Sequence, residues 1–317
     1  MIRYIVKRLF FMIPIIIITS FIIYMIFTLA PGDIATSMNI SPKEKAEMRH
    51  KYHLDEPKVI QYCKWLYGAS HGDLGRSYKL NQPVKSVINK YIWNSFYLQF
   101  ASFILAILIA IPIGAISAIR KHSIFDSGFT VFSLVGISMP TFFLGLILMK
   151  WFAADLNIFP VEGMTATGEN FHGIKRLLDI LYHMVLPCAV LTIVNAATLI
   201  RYVRASMLEV INKDYIITAK AKGLNEKVVI YKHALKNAMI PLVTIFGISI
   251  ANLFTGAIVT EEIFGWPGIG KLSLDAVLQR DYPLLMGINM IVVILTFVGN
   301  LAADVLYAVI DPRIKYK

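Results

Sequence analysis

Apolar residues in this chain come in long runs, with the charged residues pushed to the run ends. Leu9 to Gly32 holds no Asp, Glu, Lys or Arg, and the same is true of Asn94–Ile119, Ser127–Met149, Leu181–Ile200, Ile240–Thr260 and Tyr282–Ala303. A helix needs about 20 apolar residues to cross roughly 30 Å of hydrocarbon. The pattern therefore predicts six membrane-spanning helices. Arg3, Lys7 and Arg8 precede the first run, as in a secretion signal. That run is longer than the 7–15 apolar residues usual for such a signal, and no clear A-x-A site follows. It reads as an uncleaved first helix.

Lys and Arg in the short connecting segments set the orientation. With the N-terminus inside, the inner segments carry 16 of them, against 5 in the outer segments 150–180 and 261–281. Loop 31–93 carries ten with six interspersed acids, and it is long enough for the rule to weaken. Both termini are expected in the cytoplasm. The expected layout is 1–30 for the N-terminus and first helix, and 31–93 for an external loop. A core follows at 94–304, with spans near 94–119, 127–149, 181–200, 240–260 and 282–303. A cytoplasmic loop at 201–239 and a cytoplasmic tail at 305–317 complete it.

Composition agrees. Of 317 residues, 57% are hydrophobic and 16% charged, with a mean hydropathy of +0.64; soluble domains carry about 25% charge. The net charge of +11 points away from nucleic acid, because the basic residues flank apolar runs. Two cysteines, Cys63 and Cys188, make no disulfide framework.

Two connecting segments carry local signals. Ser41-Pro42-Lys43-Glu44 has the form of a helix start, predicting a helix to about His53. A second helix is expected from Pro57 to Tyr67, and loop from Gly68 to Ser77. The segment is either a docking surface or a solvated cap. On the inner side, Met207–Lys222 is expected to continue the fourth span as helix, and Gly223 to break it. Asn225 then caps a short helix through Lys236, before Pro241 opens the fifth span. Such a basic segment meets anionic lipid or docks into a cleft on a cytoplasmic protein.

The energy source is read from what the spans lack. Ionisable groups inside spans mark proton relays. The first five runs have none at mid-depth; Asp304 lies at the inner end of the sixth, and His183 near a boundary. Gly265–Leu272 nearly fits the phosphate-loop spacing, but Leu272 stands where a hydroxyl must reach magnesium. ATP, if used, is bound elsewhere. Pro14, Pro112, Pro140 and Pro187 interrupt four runs. Polar residues recur at helical spacing: Thr192, Asn195 and Thr198; Ser249, Asn252 and Thr255; Asn289 and Asn300. Such stripes join helices or line a hydrated, neutral path. His50-x-x-His53 lacks the complement of a metal site, and no H-E-x-x-H or G-x-S-x-G occurs.

The residues resemble a known family. Asp214-Tyr215-Ile216-Ile217-Thr218-Ala219-Lys220-Ala221-Lys222-Gly223-Leu224, followed by His233-Ala234-Leu235-Lys236-Asn237 and Pro241, resembles the coupling loop of binding-protein-dependent ABC importer permeases. The nearest branch is that of dipeptide, oligopeptide and nickel permeases. Gly72-Asp73-Leu74-Gly75-Arg76-Ser77 with Pro83-Val84 is similar to that branch's first external loop, and Ser138-Met139-Pro140-Thr141-Phe142 to its third span. Glu262 to Gly270 with Arg280-Asp281-Tyr282-Pro283 is similar to its last external loop, and Asp311-Pro312-Arg313 to its tail. The wider family writes E-A-A-x-x-x-G; here Ile217 replaces Glu and Thr218 the first Ala, as in the peptide branch's T-A-x-A-K-G.

The resemblance implies an all-α, type I ABC importer permease fold in a bacterial inner membrane, with no catalysis in this chain. It implies a second related permease, two cytoplasmic ATPases binding ATP and magnesium, and an external peptide receptor. Asp214, Tyr215, Thr218, Ala219, Lys220, Lys222, Gly223, Leu224, Lys227, Lys232 and His233 are the candidate ATPase contacts. Ser138, Thr141, Asn195, Thr198, Ser249, Asn252, Thr255 and Asn289 are candidate path residues. Asp73, Arg76, Glu262 and Trp266 are receptor-facing candidates, and 157–180 is a further receptor-facing segment. Nickel or a metal chelate is the alternative cargo, for which Cys188 and Met184 stand ready, and an ion-coupled carrier is the alternative mechanism.

Overall fold

A computed structural model describes residues 2–29, 32–37, 41–169 and 171–310. The Asp311-Pro312-Arg313 motif lies outside the described residues, as do the side chains of Lys220 and Asp304. The chain is helical, and its only extended pairing among the described residues is an isolated antiparallel bridge between Arg76 and Pro83. The helices are α1 (Ile2–Leu29), α2 (Ile34–Ser37), α3 (Pro42–Lys51), α4 (Lys58–Ser70), α5 (Val84–Ile119), α6 (Ile124–Ser138), α7 (Thr141–Leu148) and α8 (Ile174–Ile211). After them come α9 (Asp214–Ala221), α10 (Glu226–Val228), α11 (Lys236–Ala238), α12 (Ile240–Asn252), α13 (Ile258–Ile263), α14 (Ile269–Leu278) and α15 (Tyr282–Ile310). Met149–Asp155 extends α7, and Val229–Leu235 joins α10 to α11, both in the wider π form.

Among the described residues, four helical stretches are long and apolar enough to cross a membrane: Phe10–Thr36, Val84–Ile119, Ile174–Ile211 and Tyr282–Ala302. A fifth exists only if Ile124–Ser138 and Thr141–Asp155, bent by 105°, make one crossing. Two of the six expected spans, 127–149 and 240–260, are broken rather than continuous helices. The run 127–149 breaks because the residue before a proline is forced out of the helical region. Met139 takes φ −75°, ψ 124°, and Pro140 caps α7. The run 240–260 breaks after Asn252, where Gly256 takes φ +75°. Helix α12, with 13 residues, spans only about 20 Å.

Helices α5 and α8 form the central pair. Leu98, Ser102, Ala106, Ala110, Gly114 and Ala118 are all buried and lie four residues apart on one face of α5. Small residues at that spacing let two backbones approach. A Cβ on Gly114 would stand 2.7 Å from Val203 Cβ and 2.9 Å from the Ile200 carbonyl. Leu199, Ile200, Val203 and Met207 of α8 complete an inner core. An outer core joins Val84, Val87, Ile88 and Ile92 to Ile269, Leu272, Leu284 and Leu285.

Helix α1 is peripheral, with Phe10, Phe11, Ile13, Ile18 and Ile22 exposed. It is tied to α4 by hydrogen bonds from Tyr24 Oη to Gln61 (2.9 Å) and between Ser20 and Tyr62 (2.8 Å). Ser41 caps α3 in a full capping box with Glu44, as the sequence predicts. Helix α4 runs three residues beyond the expected Tyr67.

Candidate functional site

The basic connecting segment 212–239 has one side seated on the helix bundle. Helix α8 stops at Ile211 rather than continuing to Lys222, and a turn at Asn212–Lys213 starts α9. Gly223, at φ +75° with open space where a Cβ would lie, makes the next turn. Asn225 Oδ1 accepts from Lys227 N (3.0 Å) and caps the second helix, as expected. Ile216, Val229, Ala234 and Ala238 are buried and pack on Val203 and Met207 in the inner core. Ala219 is partly buried there, and His233 is half-buried. Asp214, Tyr215, Thr218, Lys222, Leu224, Lys227 and Lys232 are exposed. Ile217, Val228 and Tyr231 are exposed in the same segment.

The external motifs are knotted by two buried carboxylates. Glu261, fully buried, accepts from Ser95 Oγ (2.6 Å), Ala257 N (3.1 Å) and Lys271 N (3.0 Å). It occupies the N-terminus of α14, where free N–H groups attract an anion. The phosphate-loop look-alike is therefore already filled by the chain's own carboxylate. The glycines of this run leave room for it: a Cβ on Gly268 would stand 2.4 Å from Glu261 Oε2. Asp281, 1% exposed, accepts from Ser77 Oγ (2.5 Å), Tyr78 N, Lys79 N (both 3.1 Å) and Leu284 N (3.3 Å). It joins the first external loop to the start of α15.

These contacts sort the receptor-facing candidates. Trp266 is a correction: it is fully buried against Leu98, Cys188 and Leu191, and its Nε1 donates to the Asn94 carbonyl (3.0 Å). An indole with a satisfied N–H inside a core is a packing residue. Asp73, Arg76 and Glu262 are exposed. Asp73 accepts from Gly75 N, Arg76 donates to the Asn81 carbonyl, and Glu262 pairs with Lys271 at 3.1 Å. Cys188 and Met184 pack in the Trp266 cluster, as ordinary core residues do.

The path candidates are not gathered into one cavity. Thr198, Ser249 and Asn289 each donate to the carbonyl four residues before them. Asn195 is half-buried, and Ser138 and Thr141 flank the bend at Pro140. Thr255 donates to the Asn252 carbonyl (2.9 Å) within the break after α12. Thr198 alone reaches the large inner cavity of about 580 Å³ between α6 and α8. That cavity departs from the neutral lining expected, because Arg201 and Arg204 line it with Thr130 and Tyr202. Arg204 forms a bidentate pair with Asp126 (2.5 and 2.8 Å), which also accepts from His122 N (3.0 Å).

The residues that sequence reasoning missed are Glu261, Asp126 and the pairing role of Asp281. Each is a single acid near a helix end, and only Asp126 carried a local signal. It stands three residues after Ser123, whose hydroxyl accepts from Asp126 N (3.2 Å).

Residues 110–316 match the family model described as binding-protein-dependent transport system inner membrane component. Residues 1–99 match the N-terminal model of such membrane components. The oligopeptide transport system permease protein AppB of Bacillus subtilis is 41% identical, with all of both chains covered. The dipeptide transport system permease protein DppB of Escherichia coli K12 is 35% identical, again over all of both chains. The MetNI methionine ABC transporter in an inward-facing form is a structural neighbour. It has a TM-score of 0.56 at 16% identity, covering 72% of this chain and 97% of that one, a likeness of fold. The chain thus belongs to the family of inner membrane components of binding-protein-dependent transport systems, as a multi-pass, all-helical permease subunit of the ABC importer type.

Proposed function

We propose that this chain forms half of the membrane path of an ATP-driven importer of oligopeptides or dipeptides in a bacterial cell membrane. A second, related permease supplies the other half. Two cytoplasmic ATPases hold ATP and magnesium, and an external receptor delivers the peptide. The cargo rests on the names of the relatives matched end to end. Both termini lie inside, following the distribution of Lys and Arg. Loop 31–93 and segment 157–180 form the receptor side. The broken stretch α12–α13 is the fifth crossing, and residues 305–317 are the cytoplasmic tail.

The coupling mechanism rests on one observation. Residues 214–238 are fixed to the inner core by four buried side chains while their other face is exposed. A rigid part seated on the helix bundle and open on its far side transmits a push. Lys222, Lys227 and Lys232 provide complementary charge for an acidic cleft, joined by Lys220. Closure of the ATPase pair is transmitted through α9–α11 to α8 and α12, which adjoin them in the chain.

The test uses the complete importer reconstituted in lipid vesicles. Inserting Gly between Val228 and Val229 is expected to leave ATP hydrolysis running while peptide uptake falls about tenfold or more, the equivalent of about 1.4 kcal/mol of lost coupling. Normal uptake by that variant refutes the lever. Uphill transport by the permeases without ATPases refutes the whole reading.

A further inference from the structure

The inner cavity between α6 and α8 contains a charge that nothing above explains. Arg204 is neutralised by Asp126. Arg201, one turn nearer the apolar stretch, has no hydrogen bond or ion pair through its side chain among the described residues. No acid lines this cavity. A guanidinium carries five donors in a planar fork and stays charged at any working pH. Arg201 is exposed, as are Tyr202, Leu134 and Ile137, so the cavity is open and the guanidinium is accessible to an anion. The remaining polar lining consists of the hydroxyls of Thr130, Thr198 and Tyr202, beside three aliphatic side chains. The volume of about 580 Å³ is within the range of about 300–1,000 Å³ usual for small-molecule sites.

We propose that Arg201 binds the carboxylate terminus of the transported solute, with Thr130 and Tyr202 donating around it. This deepens the reading above and rests on peptide being the cargo. The C-terminal carboxylate is a feature that unmodified peptides of any sequence share. A planar fork matches it in bidentate geometry and reads no side chain. The hydroxyl-rich lining favours a polar solute over an acyl chain, which would need a longer aliphatic slot. The Asp126–Arg204 pair keeps the neighbouring guanidinium occupied, so that one free cation faces the cavity.

The experiment reconstitutes the complete importer in vesicles and measures ATP-driven uptake of one peptide as its free acid and as its C-terminal amide. Each is supplied on receptor saturated with that peptide, so receptor preference does not enter. The wild type is expected to carry the acid about tenfold faster than the amide, as loss of one charge-assisted contact implies. R201Q is expected to bring the two to the same rate by slowing the acid, and R201K to retain part of the difference. Co-purification of all subunits with R201Q checks its assembly. Equal wild-type rates for acid and amide overturn the proposal, as does R201Q slowing both peptides by the same factor, the result expected of a lipid or structural contact. If the wild type carries no peptide in either form, peptide as cargo is what fails.

Discussion

Glu261 shows how one side chain fixes the form of a whole external motif. Its carboxylate is fully buried and takes hydrogen bonds from a hydroxyl and two backbone amides. Ser95 Oγ, which donates to it, in turn accepts from Ile269 N at 2.7 Å. Replacing Glu261 with Ala strands those donors, at about 1–3 kcal/mol for each one left unsatisfied. The variant is expected to unfold at lower temperature in detergent, with less protein reaching the membrane. G268A is expected to act the same way through crowding, since its Cβ would fall 2.4 Å from both Glu261 Oε2 and Ser95 Oγ. A thermal unfolding curve for E261A matching that of the wild type would remove this carboxylate from the list of structural anchors.

At the scale of elements, helix α3 offers a pH test. Glu44 closes the capping box with Ser41: Ser41 N donates to Glu44 Oε2 at 2.8 Å, and Glu44 N donates to Ser41 Oγ at 3.3 Å. The bonds from Ser41 hold the Glu44 carboxyl below its ordinary range. A depressed carboxyl stabilises above its unfolded value of about 4.3, and that contribution is lost as pH falls through the lower folded value. Amide exchange in residues 43–46, corrected for the intrinsic effect of pH, is expected to quicken below about pH 4. In E44Q the acid-dependent part should vanish.

The same helix marks what the sequence made legible. Ser41, Pro42 and Glu44 act on neighbours within one turn, so their pattern could be read directly, and Asn225 was read for the same reason. The apolar runs also located the bundle, because burial in lipid leaves a signature at every position. The two broken spans were less legible. Pro140 appeared as a kink within a continuous apolar run, whereas the 105° bend arises from the extended conformation it imposes on Met139. Gly256 looked like one glycine among many. A Cβ there would meet the Gly270 backbone nitrogen at 2.4 Å, a contact made fourteen residues away. Glu261 and Asp281 were indistinguishable in sequence from solvated loop acids, because their partners at Ser95 and Ser77 lie 166 and 204 residues distant.

At the scale of the whole molecule, two long-range ties hold the bundle at its opposite ends. Asp281 fastens the first external loop to α15, and the Asp126–Arg204 pair fastens the inner end of α6 to α8. The second tie bears on the proposed coupling, because α8 leads into segment 214–238 and α6 continues to the bend at Pro140. In the proposed mechanism, force entering at α9 reaches α6 either through this pair or through the close contact between α6 and α8. A Cβ on Gly136 would stand 2.8 Å from Ala197 Cβ, so the helices already touch. The ion pair then sets how firmly they move together. Asp126 is 3% exposed and loses its partner in R204Q. A buried carboxylate left without its cation is costly, so R204Q is expected to lower stability by about 3 kcal/mol, the low end for broken buried pairs, because Arg204 is partly exposed and Asp126 keeps the His122 N–H. D126N removes the charge at the buried side. The D126N/R204Q double variant has no stranded charge and is expected to be more stable than R204Q alone, a coupling that a double-mutant cycle reads directly. If the pair transmits force, solute carried per ATP stays low in the double variant even as its stability recovers. Recovery of both together would assign the pair to stability alone and leave the helix contact at Gly136 as the route of force.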